Sequence, residues 1–106
     1  MKLDYTLENG ILTVRPTGDI DHHATVSLRE QTDRLLSEKR PKKLLLDLSK
    51  TEFMDSSGLG LILGRYRKAG EISCDFGLLD PTAGVMRILT LAGVEKLISI
   101  ERTEKS

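Results

Sequence analysis

Leu3, Tyr5 and Leu7 alternate with polar residues, Asn9-Gly10 interrupts, and the run ILTVRP follows. Asn-Gly between two β-like runs is the preferred two-residue hairpin turn, because both central residues need positive φ. The chain is therefore expected to open with an antiparallel hairpin. GDID, residues 18–21, closes the second strand, and Asp21 is placed to cap a helix of about 17 residues. Ala24, Leu28, Gln31 and Leu35 share one face of that helix, and Pro41 stops it.

KLLLDLS, residues 43–49, is apolar at consecutive positions, the mark of a strand covered on both sides or central in a sheet. A second helix is predicted from about Ser57 to Ala69, closing at Gly70. Residues 72–79 read as a strand, and Asp80-Pro81 as a cap followed by proline at the first helical position. Val85, Ile88, Leu89 and Ala92 would form the buried stripe of a third helix ending at Gly93. Residues 97–100 suggest a short edge strand, with a polar tail after it. The order ββαβαβαβ predicts an α/β fold: an N-terminal β-hairpin, then βαβ units. Its sheet is mixed and mostly parallel, with helices packed against it.

Composition narrows the function. A chain of 106 residues suits one domain over 1–106, with a core supplied largely by 18 leucines. Sixteen basic and sixteen acidic side chains cancel, and there are four aromatics and no tryptophan. This argues against direct nucleic-acid binding, which favours a basic surplus and aromatic platforms. Cys74 is single and cannot form an internal disulfide; it reads as a small buried residue in a strand, suited to a reducing compartment. MKLDYTLENG is not a signal or transit peptide, and no apolar run reaches membrane-spanning length. The expectation is a cytoplasmic protein with no membrane association.

Functional groups in such a sheet gather beyond the carboxyl ends of its strands. Two loops end there if the second and third strands are parallel neighbours: GDIDHH and KTEFMDSSG. Asp19, Asp21, His22, Asp55, Ser56 and Ser57 would then share one small surface. At 100° per residue, Leu59, Ile62, Leu63, Tyr66 and Ala69 fall on the buried side of the second helix. Ser57, Gly60, Leu61, Gly64 and Lys68 fall on the other, which makes Leu61 an outward-facing apolar residue. Glycine inside a helix costs roughly 1 kcal/mol relative to alanine. Gly60 and Gly64 on one strip therefore suggest close approach by another backbone, either a partner's or a loop of the same chain.

Taken alone, Asp and Ser before a helix are ordinary caps. A hydrolase nucleophile is disfavoured because the G-x-S-x-G elbow is absent, and no G-x-x-x-x-G-K-[ST] loop is present. His22 and His23 point in different directions at a helix start and have no accompanying ligand cluster, so no metal and no cofactor is expected. The acids Asp19, Asp21, Asp47 and Asp55 lack the lysine and acidic cluster of a phosphoacceptor aspartate site. EKRPKK reads as a solvated connection.

GDIDHH, followed some thirty residues later by FMDSSGLGLILGRYR, resembles the STAS domain family, and most of all its sporulation anti-sigma factor antagonists. The resemblance runs from the opening hairpin to the third helix. It implies a non-catalytic regulator of transcription that binds an anti-sigma factor serine kinase and so frees a sigma factor, a partner-switching mechanism. The second serine of D-S-S-G, here Ser57, would be the phosphorylation site that switches it off, and a PP2C-type phosphatase would restore it. Asp19 and Asp21 would help engage the partner, and Ser56 would act as a cap or brace. With the surface and helix-face arguments, the expected partner-binding set is Asp19, Asp21, His22, Asp55, Ser56, Gly58, Gly60, Leu61 and Gly64. Two alternatives stand beside it: a STAS accessory subunit of a stress-signalling complex or lipid transporter, and a small enzyme using the acids or Ser57.

Overall fold

The computed structural model describes residues 2–103. Strands β1 (Lys2–Glu8) and β2 (Ile11–Thr17) form the antiparallel hairpin, with Asn9 and Gly10 both at positive φ. Then follow α1 (His22–Lys39), β3 (Lys43–Asp47), α2 (Ser56–Glu71), β4 (Asp75–Leu79), α3 (Ala83–Leu91), a 3-10 turn (Val94–Lys96) and β5 (Ser99–Glu101). The sheet order is β1-β2-β3-β4-β5, and every pairing after the hairpin is parallel. The expected α/β architecture is the one observed.

Register explains where the core sits. Leu12 and Val14 of β2 stand beside Leu44 and Leu46 of β3, and Leu46 beside Leu78 of β4. These side chains share one face, and with Leu28, Leu36, Ile62, Val85 and Leu89 from the helices they make one contiguous buried cluster. The intervening residues of the central strands face the other way and carry ion pairs. Arg15 Nε donates to Asp47 Oδ2 at 2.9 Å, and Lys43 Nζ lies 2.6 Å from Glu101 Oε2. Burial alone would raise the Asp47 carboxyl; hydrogen bonds from Ser49 and the charge and hydrogen bond of Arg15 outweigh it, leaving the group below the ordinary carboxylate range. The apolar run of β3 thus marks a central strand, one face of which is closed by polar pairs.

Several boundaries depart from the sequence expectation. On α1 the fully buried stripe is Ala24, Leu28, Thr32 and Leu36, with Gln31 and Leu35 half-buried at its flank. A four-residue step drifts around the helix, and the sheet selects that series rather than one that switches to three. Helix α2 starts one residue early and runs through Gly70 to Glu71; the left-handed residue beyond it is Ser73. Strand β4 begins only at Asp75, so Cys74 precedes the strand, although it is buried as expected. Burial pushes its thiol above the ordinary value, and the Asp75 charge adds to the effect.

Helix α3 is capped by Thr82, not Asp80. The Thr82 hydroxyl accepts from the Val85 amide and donates to the Thr51 carbonyl at 2.8 Å, tying the helix to the loop after β3. Asp80 instead takes positive φ and accepts from the Thr103 amide and hydroxyl. Ala92, expected in the α3 stripe, is the exposed C-cap, and Ile88 is half-buried. The last strand is Ser99–Glu101, displaced towards the C-terminus by the 3-10 turn. Residues 104–106 of the polar tail lie outside the described residues.

Candidate functional site

Beyond the carboxyl ends of β2 and β3 the two loops continue the sheet instead of diverging. Gly18 N donates to Lys50 O, Ile20 N to Phe53 O, and Asp55 N to Ile20 O, at 3.0–3.2 Å. Ile20 and Met54 form an isolated parallel bridge, and both side chains are fully buried. This zipper sets the starts of α1 and α2 side by side. Both helices are capped by aspartate: Asp21 Oδ1 accepts from Ala24 N at 2.9 Å, and Asp55 Oδ1 accepts from Ser57 N at 2.9 Å and Gly58 N at 3.4 Å. Each cap satisfies amides that would otherwise lack partners.

Gly58 is part of this foundation. A Cβ there would land on Cγ and Sδ of Met54 and lie 3.3 Å from Cγ2 of Ile20. A side chain at that position would force Met54 to move before the first turn of α2 could sit on the zipper. Ser56 and Ser57 project from the same turn; Ser56 is exposed and Ser57 half-buried. Ser57 Oγ stands 3.4 Å from Nδ1 of His22, the first residue of α1.

From Ser57 a groove of about 360 Å³ runs between α1 and α2, lined by His22, Thr25, Arg29, Ser57, Gly60, Leu61, Gly64 and Arg65. A Cβ built on Gly60 or Gly64 meets nothing within 4 Å. The chain's own loops thus do not account for these two glycines. Leu61 corrects the helix-face expectation: it is 6 % exposed and belongs to the core cluster. Helix α2 has α1 on one flank and the sheet beneath it, so its apolar arc is wider than the stripe required by a sheet alone.

The candidate residues divide into two neighbouring places. His22, Ser57, Gly60, Leu61 and Gly64 meet in the α1/α2 groove. Asp19 and Asp21 border a separate depression shared with Thr17, Gly18, His23, Ala24 and Ser27. Asp55 and Gly58 lie beneath the groove mouth as cap and packing surface.

Sequence reasoning missed Arg29 and Arg65. Arg29 lies seven residues after His22 and Arg65 eight after Ser57, spacings that return to the same helix face, so helical periodicity could have found both. Arg65 Nε is 3.3 Å from Asp33 Oδ1 but is not aligned for a hydrogen bond, and its Nε and Nη1 are buried with no hydrogen-bond partner. Burial pushes Arg65 below its ordinary value; the Asp33 carboxylate opposes this, and the positive charge of Arg29 adds to it. Among the described residues no group of three or more His, Cys, Asp or Glu could hold a metal ion, and no helix is long and apolar enough to cross a membrane.

Known proteins share this fold. The model of the STAS domain matches residues 2–106. The chain is 35 % identical over 106 residues to an anti-sigma F factor antagonist of Paenibacillus polymyxa, covering 98 % of this chain and 91 % of that one. An anti-sigma factor antagonist from Mycobacterium paratuberculosis superposes with a TM-score of 0.84 at 25 % identity, over 94 % of this chain and 84 % of the other. The anti-sigma factor antagonist SpoIIAA in its unphosphorylated form gives 0.80 at 24 % identity, over 93 % and 87 %.

Proposed function

The chain belongs to the STAS domain family, and on that premise we propose that it is an anti-sigma factor antagonist switched by phosphorylation of Ser57. It binds an anti-sigma factor serine kinase, frees the sigma factor, and performs no catalysis itself. The kinase modifies Ser57 and a PP2C-type phosphatase restores it. The reading rests above all on a half-buried hydroxyl at the mouth of a groove whose two glycines leave open space where a Cβ would stand. Such a groove suits the close approach of another protein. Asp19 and Asp21, beside it, supply the negative border; the cap expected of Ser56 is supplied by Asp55, and Ser56 is exposed.

The energetics favour a switch in association over a switch in folding. A phosphate adds about −1.5 to −2 charges. At a helix N-terminus the dipole favours it by roughly 0.3–1 kcal/mol. Repulsion from the capping carboxylates Asp21 and Asp55 acts across solvent and is of similar size, about 1–2 kcal/mol. The scaffold therefore stays folded. Placed in a contact surface without a matching cation on the partner, the same dianion costs several kcal/mol of desolvation. About 3 kcal/mol lowers affinity more than a hundredfold.

Incubation with the cognate kinase and ATP, followed by peptide mass spectrometry, tests the acceptor. Phosphate is expected on Ser57, none on a Ser57→Ala variant that still binds the kinase, and weak binding by Ser57→Asp. Modification of Ser56, or undiminished binding by the phosphorylated protein, refutes the proposal.

A further inference from the structure

The α1/α2 groove holds two arginines whose charge is poorly answered. Arg29 makes no ion pair among the described residues. Arg65 has one carboxylate, Asp33, at 3.3 Å, and two buried nitrogens without hydrogen bonds. Unused guanidinium donors are costly where they are buried, as in Arg65, and the exposed Arg29 beside it adds like-charge repulsion. An anion in the groove that accepts from Arg29 offsets that repulsion, and a phosphomonoester has the number and fork geometry of acceptors that a guanidinium group matches.

We infer that a phosphate carried by Ser57 turns into the α1/α2 groove and is held there by Arg29, with the charge of Arg65 behind it. The inference rests on the reading of Ser57 as the modified residue. Direction favours it. The helices follow parallel strands and run side by side, with Ser57 and His22 at their adjacent starts. His22 to Arg29 spans about 10 Å of helix, and helical side chains lean towards the N-terminus, so the exposed Arg29 reaches back towards the ester as it extends into the groove, while Arg65 stays beside Asp33 and acts through its charge. Gly60 and Gly64 leave the intervening space empty. The groups facing that space are His22 and Arg29 from α1 and Arg65 from α2, with Asp33 against Arg65 and the capping acids Asp21 and Asp55 at the mouth. Capture occupies the mouth of the groove and offsets its positive charge in one step. A partner would then lose part of its docking space as well as its electrostatic complement.

The test uses the full chain with phosphoserine installed at position 57 by chemical or genetic means, so that no kinase is needed. Phosphorus NMR then follows the second ionisation of the ester, ordinarily near pH 6. The wild-type ester is expected to titrate lower, and Arg29→Gln to move it back by about half a pH unit or more, since loss of a nearby cation disfavours the dianion. Arg29 is exposed, so this variant keeps its fold, which its melting temperature verifies. Arg34→Gln, also exposed on α1 but outside the groove, should leave the titration in place. Coincident curves for wild type and Arg29→Gln, or equal shifts for Arg29→Gln and Arg34→Gln, overturn the inference. Failure of the kinase to modify Ser57 would defeat the regulatory reading but would not alter this titration.

Discussion

Helix α2 carries glycine in two opposite settings. Gly58 lies against Met54 and Ile20, where an added methyl group has nowhere to go. Gly60 and Gly64, two and six residues further on, face a groove in which an added methyl group meets nothing. The first glycine is explained by the chain itself. The other two weaken the helix without any return that the chain's own packing supplies. That contrast separates residues that build the site from residues that leave room in it.

Substitution by alanine breaks or sharpens the contrast directly. Gly58→Ala should destabilise the protein by about 1–3 kcal/mol, the ordinary cost of overpacking, and disturb the turn that presents Ser57. Chemical denaturation measures it, and a neutral outcome would mean that Met54 relaxes without cost. Gly60→Ala and Gly64→Ala should do the reverse, raising stability by up to about 1 kcal/mol each through helix propensity. The same two variants should weaken kinase binding about tenfold, or about 1.4 kcal/mol, if a partner's surface enters the groove. Stabilised variants with unchanged affinity by calorimetry would show that the groove is not a contact surface.

The smallest effect lies on the opposite face of the sheet and serves as a control distant from the groove. Asp47 has a depressed folded pKa, so its contribution is fully present above the unfolded value near 4 and is lost as pH falls through the lower folded one. Melting temperature should therefore decline more steeply below about pH 4 in wild type than in Asp47→Asn. Binding at neutral pH should be the same for both proteins. A parallel decline in the two would remove Asp47 as a contributor.

The architecture was legible because its signals are local. Asn9-Gly10 specifies a turn by its own φ angles, Asp21 caps the helix it precedes, and the run 44–46 needs a central strand whatever surrounds it. The site was legible in part. The loops GDIDHH and KTEFMDSSG are neighbours because β2 and β3 are, a relation that strand order alone supplies. Leu61 was misplaced because the buried arc of one helix depends on the helix next to it, and periodicity within a single segment carries no information about that neighbour. Helical periodicity sets Arg29 on the face of His22 and Arg65 on that of Ser57, but that the two arginines line one groove emerges only when the helix faces meet. At α3 both Asp80 and Thr82 can cap; what decides is the Thr51 carbonyl, thirty-one residues away, which only the Thr82 hydroxyl reaches.

The hydrogen-bonded zipper from Gly18 to Asp55 has a temporal consequence. Because backbone bonds and the Ile20–Met54 bridge clamp both helix starts to the sheet, marking or clearing a hydroxyl there requires no rearrangement of the skeleton. If Ser57 is switched as proposed, the cycle has no internal clock: its pace follows the abundance of the enzymes that write and erase the mark, and each molecule can be reused without refolding.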